Sequence, residues 1–106
     1  MVNVKWSPQA KNHLRAIYQY YREHASVTVA NRIKGNILAS TKQLEIFPHS
    51  GAYEPLAEGW EEEIRYLWVR KHWKVIYAVR DAVCIITCVW DTRNNPELLP
   101  SQIGLN

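Results

Sequence analysis

The spacing of apolar residues predicts that the chain begins with a strand and a helix. Residues 2–6 alternate apolar and polar side chains, which is typical of a short, half-buried strand at or near a sheet edge. Ser7 and Pro8 then match the N-cap and the first position of a helix. Apolar residues recur at helical spacing after them, so this helix is predicted to run to about His24.

A second helix is predicted between Ser26, which can act as its N-cap, and the pair Phe47 and Pro48, which ends it. Its apolar stripe consists of Ala30, Ile33, Ile37, Thr41 and Leu44. Because so few residues separate the two helices, they are predicted to form an antiparallel hairpin.

Residues 48–62 contain two Pro, two Gly and four Glu, which predicts a long loop. Three strand-like runs follow, at Glu63 to Arg70, Trp73 to Arg80 and Val83 to Trp90. Their short connections predict an antiparallel meander. The predicted fold class is therefore α+β, with the order β-α-α-β-β-β, the helical hairpin packed on one face of the sheet, and one domain over residues 1–106.

The composition is that of a folded chain, with 47% apolar and 22% charged residues over 106 positions. No apolar run approaches the ~18 residues of a membrane span, and the first six residues do not resemble a signal peptide, so the predicted location is the cytoplasm. Five Trp and six Tyr are hard to bury in a small domain, which predicts an apolar groove for a partner.

The last strand is apolar on both faces, which predicts a position inside the sheet. Strict alternation would place Val83, Ile85 and Val89 on one face and Cys84, Ile86, Cys88 and Trp90 on the other. Four residues at ~3.3 Å each hold Cys84 and Cys88 about 13 Å apart, too far for a disulfide, so both are predicted to be core residues. No motif indicates a metal site or a cofactor.

The net charge of +3 is unevenly distributed, because residues 47–63 carry five Glu and no base between two basic segments. Residues 70–74 combine three cations, His72 and Trp73, which favours either nucleic-acid contact or an ordinary exposed turn. Strand alternation allows Arg65, Lys74 and Arg80 to point out of the sheet on the side away from the helices, with Arg93 closing the group. Such a cation cluster suits phosphoryl chemistry.

Of the four histidines, only His72 lies beside these cations, as a candidate general acid or as an exposed turn residue. The aromatic residues of the strands are predicted to pack against the helices; they are Tyr66, Trp68, Trp73 and Tyr77.

The segments Val4 to Ala10, Phe47 to Gly51, Lys74 to Val79 and Val89 to Glu97 resemble, in order and spacing, the RelE/ParE superfamily of bacterial toxins. The resemblance covers residues 2 to about 98. It implies the β-α-α-β-β-β fold and a growth-inhibiting toxin of a type II toxin-antitoxin, or plasmid stabilisation, module, held inactive by a co-encoded antitoxin.

The superfamily has two main activities: RelE-like members cleave mRNA on the ribosome, and ParE-like members poison DNA gyrase. Arg65 falls where the nuclease branch has the first of two strand lysines, but Leu67 falls at the second. Lys74 replaces an arginine of that branch, and Arg93 matches its terminal arginine. The tail tyrosine of the nucleases has no counterpart near Leu98. The resemblance therefore favours the ParE-like side, with DNA gyrase as the target.

Two alternatives stay open. The first is that the protein is an enzyme, a ribosome-dependent endoribonuclease in which Arg65, Lys74 and Arg93 would hold phosphate and His72 would act as the acid. The second is a small basic nucleic-acid-binding module.

Overall fold

The computed structural model describes residues 1–93 and 96–103. Its helices and strands are, in chain order, β1 (Asn3–Trp6), α1 (Pro8–His24), α2 (Val27–Lys42), β2 (Ala52–Tyr53), β3 (Glu63–Val69), β4 (Trp73–Arg80) and β5 (Val83–Asp91). Short 3-10 turns lie at Gln43–Glu45, Pro55–Ala57 and Pro96–Ser101.

Both helices begin at the serine caps that the sequence predicts. The Ser7 hydroxyl accepts a hydrogen bond from the Ala10 N–H (3.1 Å), and the Ser26 hydroxyl accepts one from the Val29 N–H (3.1 Å). The first helix ends at His24, as predicted. Neither it nor any other helix in the described ranges is long and apolar enough to cross a membrane.

The five strands form one mixed sheet in the order β1-β5-β4-β3-β2. The three long strands make the predicted antiparallel meander, and β1 adds to β5 in parallel at one edge. The sequence did not predict β2, a two-residue strand within the expected loop that pairs with Arg65 and Tyr66 at the opposite edge. The predicted α+β fold is confirmed.

Apolar residues pack on both faces of the sheet. On the helix face, α1 and α2 cover a core that includes Leu14, Ile37, Leu67, Val75, Tyr77 and Ile86. On the far face, the turns at Pro55–Ala57 and Pro96–Ser101 cover a second core that includes Ile64, Ile76, Cys88, Trp90 and Leu99. Trp73 and Tyr77 lie in the helix-face core as predicted, but Tyr66 packs on the far-face core and Trp68 is exposed, so the prediction for these two was wrong.

A bulge in β5 changes which of its residues share a face. Ile76 pairs with Cys88 and Tyr77 pairs with Ile86, so Thr87 is an extra residue without a partner on β4. The alternation reverses there, and Cys84 lies in the helix-face core whereas Cys88 lies in the far-face core. The predicted face assignment of β5 was therefore wrong. Both cysteines are free and buried.

Candidate functional site

Arg65 lies on the helix face of β3, not on the far face as predicted. It shares its face with Leu67 and Val69, and these two residues pack in the core that the helices cover. Lys74 lies on the other side of the sheet, in the same alternating set as Ile76 of the far-face core. The sheet therefore separates the two cations that the sequence placed together.

The Arg65 side chain fixes the loop that precedes β2. Its Nη1 donates to the carbonyl oxygens of His49 (3.1 Å) and Gly51 (2.6 Å), and its Nε donates to Glu63 Oε2 (2.5 Å). The guanidinium also lies 4.1 Å from the centre of the Tyr53 ring. With 12% of its side chain exposed, Arg65 is a structural clamp whose donors are directed at the protein itself.

Glu63 completes this cluster. Burial alone would raise its pKa, but hydrogen bonds from Arg65 and His49, and their charges, outweigh that effect and lower the pKa. The His49 Nδ1 lies 2.8 Å from the same carboxylate oxygen. The carboxylate therefore stays ionised at neutral pH and holds Arg65 in place.

Gly51 occupies a position where no other residue fits. Its N–H donates to the buried Tyr77 hydroxyl (3.0 Å), and a Cβ added to it would lie 2.6 Å from both that oxygen and the Tyr66 carbonyl oxygen. Burial raises the pKa of the Tyr77 hydroxyl, so it is neutral. The loop is thus fastened directly onto β3 and β4.

Lys74 forms a buried ion pair on the far face. Its Nζ lies 2.6 Å from Glu54 Oε1 and 3.9 Å from the centre of the Tyr66 ring. Glu54 is only 2% exposed, and its other oxygen accepts the Leu56 N–H (3.0 Å) at the turn Pro55–Ala57. The lysine therefore neutralises a buried carboxylate.

Arg80 and Arg93 are exposed, and each is paired with an acid. Arg80 Nη2 lies 3.6 Å from Glu62 Oε1. Arg93 binds Asp91 through two nitrogens, with Nε 2.9 Å from Oδ1 and Nη2 2.6 Å from Oδ2. The hydrogen bond from Arg93 lowers the pKa of Asp91 despite partial burial of the carboxyl group, and this bond, together with one to Tyr21, raises the pKa of Arg93.

His72 is packed rather than exposed at its turn. Its ring centre lies 4.3 Å from that of Trp73, and its Nε2 is buried without a hydrogen-bond partner. Its carbonyl oxygen accepts the Thr92 N–H (2.8 Å), which joins the turn to the end of β5. This position limits its access to a substrate.

The predicted catalytic candidates therefore do not converge. Within residues 1–93 and 96–103, Arg65, Lys74, Arg80 and Arg93 each contact a carboxylate, and they are distributed over both faces of the sheet. The same residues contain no group of His, Cys, Asp and Glu side chains arranged to hold a metal ion. The missed partners were Glu54, Glu62 and Glu63, whose signal in the sequence is the run of five Glu without a base.

Two surface grooves flank α1. The first, the hairpin groove, has a volume of about 440 Å³ and is lined by Trp6, Lys11, Leu14, Arg15, Tyr18, Lys34 and Leu38. Its floor is apolar, three cations lie at its rim, and none of the described residues that line it is acidic. The Lys34 Nζ lies 5.4 Å from the centre of the Tyr18 ring.

The second, the edge groove, has a volume of about 670 Å³ and lies between α1 and the end of β5. Its walls include His13, Ile17, Tyr20, Tyr21, Trp73, Val89, Asp91 and Arg93. Tyr21 packs edge-on against Trp73, with ring centres 5.8 Å apart. Both grooves are open, and their aromatic walls are what the excess of Trp and Tyr predicted.

Comparison with known proteins identifies the family. Residues 4–96 match the family described as ParE toxin of type II toxin-antitoxin system, parDE. A solved structure from P. aeruginosa, the chromosomal ParDE TA system, has the same fold with a TM-score of 0.72 over 86% of this chain and 96% of that chain, at 24% identity. A search of curated proteins gave no match. With the family match spanning most of its length, the chain belongs to the ParE toxin family of type II toxin-antitoxin systems.

Proposed function

We propose that this toxin acts by binding DNA gyrase, as the ParE-like branch does, and not by cleaving RNA. The observation that carries the proposal is the pairing of the candidate cations with carboxylates. A nuclease must present cations to a phosphate whose negative charge spreads in the transition state, and losing one such group typically costs ~10² to 10³ in rate. Cations already neutralised by the protein supply little of that stabilisation.

Proton transfer meets a similar obstacle. General acid catalysis requires a donor within hydrogen-bond reach of the leaving oxygen. The His72 Nε2 is buried, and the chain has no tyrosine after Tyr77 to replace the tail tyrosine of the nuclease branch. These features support inhibition by binding over catalysis.

The hairpin groove is the site we propose for the antitoxin. Its apolar floor and its rim of Lys11, Arg15 and Lys34 are complementary to an acidic, amphipathic segment, whose apolar side would cover Leu14 and Leu38. Charge complementarity of this kind speeds association and excludes basic partners.

The target is tested by adding purified toxin to gyrase with plasmid DNA and, separately, to a translating extract. We expect inhibited supercoiling or accumulated cleaved plasmid, with mRNA left uncut. Codon-phased mRNA cuts that disappear in an Arg93→Gln variant would overturn the proposal. Arg93 is the informative position because its side chain is 62% exposed, whereas loss of Lys74 leaves a buried acid unpaired.

The antitoxin site is tested by Leu38→Glu, which places a charge on the apolar floor of the hairpin groove. Binding of the co-encoded antitoxin should weaken at least 10-fold. Val27→Glu is the matched control, because Val27 is an exposed apolar residue of the same helix that does not line the groove. Equal effects of the two variants would exclude this groove as the site.

A further inference from the structure

The outer edge of β5 is open beyond its bulge. The parallel neighbour β1 pairs as far as Trp6 opposite Ile86, and the chain then leaves the sheet to begin α1. At the next residue of β5, the side chain of Gln9 replaces the β1 backbone as hydrogen-bond donor, because its Nε2 donates to the Thr87 carbonyl oxygen (2.8 Å). Within residues 1–93 and 96–103, residues 89–91 thus have β4 on one side and no strand on the other.

The hydrogen-bond pattern fixes which backbone groups face this edge. The Thr92 N–H donates to the carbonyl oxygen of His72, the residue before β4, so by the two-residue period the N–H of Trp90 also faces β4. The backbone groups of Val89 and Asp91 therefore face outward. The N–H of Val89 does so visibly, because it donates to the His13 side chain.

His13 occupies the place of a missing strand. Its Nδ1 accepts the Val89 N–H at 3.2 Å, the position at which a neighbouring strand would present a carbonyl oxygen. Burial lowers the pKa of His13, which keeps Nδ1 free to accept. A side chain can leave this position by a rotamer change, whereas a paired strand cannot.

The edge groove lies directly beside these outward-facing groups. Val89 and Asp91 belong to its wall, and apolar surface in the same groove comes from Ile17 and Tyr21 of α1 and from Trp73 of β4, beside Asp91. An extended peptide that pairs with an edge directs alternate side chains to opposite sides. One set of its side chains would enter this groove, so that set must be apolar.

We propose that the antitoxin adds a short extended segment to the β5 edge at Val89–Asp91, with apolar side chains in the edge groove and with His13 displaced. This inference rests on the proposed antitoxin site, because the occupant follows from continuity with it. The hairpin groove and the edge groove lie on the two sides of α1, a helix about 10 Å across. About four extended residues cross that distance, so one antitoxin chain reaches both grooves.

Occupying both sites with one chain strengthens binding without a new partner. The second contact becomes intramolecular once the first has formed, and its effective concentration is in the millimolar range for a short connection. Main-chain pairing at the edge then supplies affinity, and the groove supplies side-chain selectivity.

Amide hydrogen exchange of the full toxin, free and in complex with the antitoxin, tests the proposal directly. The edge-facing amides of Val89 and Asp91 should become at least 10-fold better protected in the complex. The Trp90 amide is the internal control, because it faces β4 in both states and should change little. Unchanged protection at Val89 and Asp91 in a saturated complex would overturn the proposal.

Two variants give independent readouts of affinity. Val89→Pro removes the edge-facing N–H without removing a bond to β4, and it should weaken antitoxin binding about 10-fold. His13→Ala removes the competing acceptor and should tighten binding by about 2- to 10-fold. Gln19→Ala is the matched control, since Gln19 is an exposed residue of the same helix and lines neither groove.

The results separate this inference from the proposed function. If the antitoxin binds and is sensitive to Leu38→Glu but not to His13→Ala, the edge pairing is wrong and the hairpin site stands. If the wild-type toxin does not bind the antitoxin, both proposals fail. If Val89→Pro does not fold, His13→Ala and the exchange measurement still decide the matter.

Discussion

Replacing Lys74 by methionine tests whether this cation serves the fold or a substrate. Lys74 contacts Glu54, which is 2% exposed, and the pair is closed to solvent on the lysine side as well, with 14% of that side chain exposed. Methionine keeps much of the side-chain volume but leaves Glu54 Oε1 without its partner. Removing one member of a buried pair costs about 3–5 kcal/mol, because the remaining charge stays desolvated.

The loss of the contact between Lys74 and the Tyr66 ring adds ~0.5–1 kcal/mol. Small domains are stable by about 5–15 kcal/mol in total, so Lys74→Met should remove a large fraction of the stability. At roughly 4 °C or more per kcal/mol, the melting temperature should fall by about 12 °C or more. Thermal unfolding followed by circular dichroism measures this directly.

Two further variants identify the cause. Glu54→Gln combined with Lys74→Met should recover most of the loss, because the amide oxygen still accepts the Leu56 N–H and no charge is buried. Arg80→Met is the matched control on the same strand, since the Arg80 side chain is 58% exposed and its pair with Glu62, at 3.6 Å, contributes at most about 1 kcal/mol. A Lys74→Met protein that melts within a few degrees of wild type would refute the structural role.

Three other perturbations have defined outcomes. Gly51→Ala should destabilise the protein by about 1–3 kcal/mol, because the added Cβ has no space. Gly35→Ala, whose Cβ meets nothing within 4 Å, should stabilise it by up to ~1 kcal/mol. Urea denaturation compares the two variants, and equal effects would contradict the packing argument. Burial lowers the pKa of His13, so as the pH falls the unfolded chain binds the extra proton before the folded chain does. The free energy of unfolding should therefore decrease as the pH drops below the ordinary pKa of 6.5 and level off below the folded-state pKa. In His13→Asn, whose side chain can accept the same N–H without titrating, urea midpoints between pH 7.5 and 5 should change less. Arg93→Gln should leave the melting temperature nearly unchanged and raise the pKa of Asp91 toward its ordinary 3.8, which an NMR titration of the carboxyl group detects; a large loss of stability would show that Arg93 supports the fold.

The regular elements of this fold follow from local signals, and the candidate site does not. Serine caps and apolar spacing predict the starts of both helices because the interactions involved span three or four residues. Strand alternation also holds in β3, where Arg65 shares a face with Leu67 and Val69. Alternation does not determine which face of the strand packs against the helices. The predicted face for Arg65 was therefore the wrong one.

Longer-range features escaped prediction for identifiable reasons. The bulge at Thr87 reverses the faces of Cys88 and Trp90, and no residue type in the strand indicates a bulge. Glu54, the partner of Lys74, and the carbonyl oxygens that Arg65 binds come from the segment predicted to be a loop. The opposite charges of that segment and the strands are visible in the sequence, but the pairing of Glu54 with Lys74 depends on how the loop crosses the far face.

The parallel pairing of β1 with β5 has a consequence for when the binding surface of this protein forms during its synthesis. β1 is translated some 80 residues before the strand with which it pairs, as the contact between Ser7 and Thr87 shows. Until β5 leaves the ribosome, β1 has no strand beside it and α1 lacks the surface on which it packs. The edge groove, whose wall includes Val89 and Asp91, therefore cannot form until β5 has left the ribosome, and before that point the nascent chain lacks the surface that we propose for the extended segment of the antitoxin.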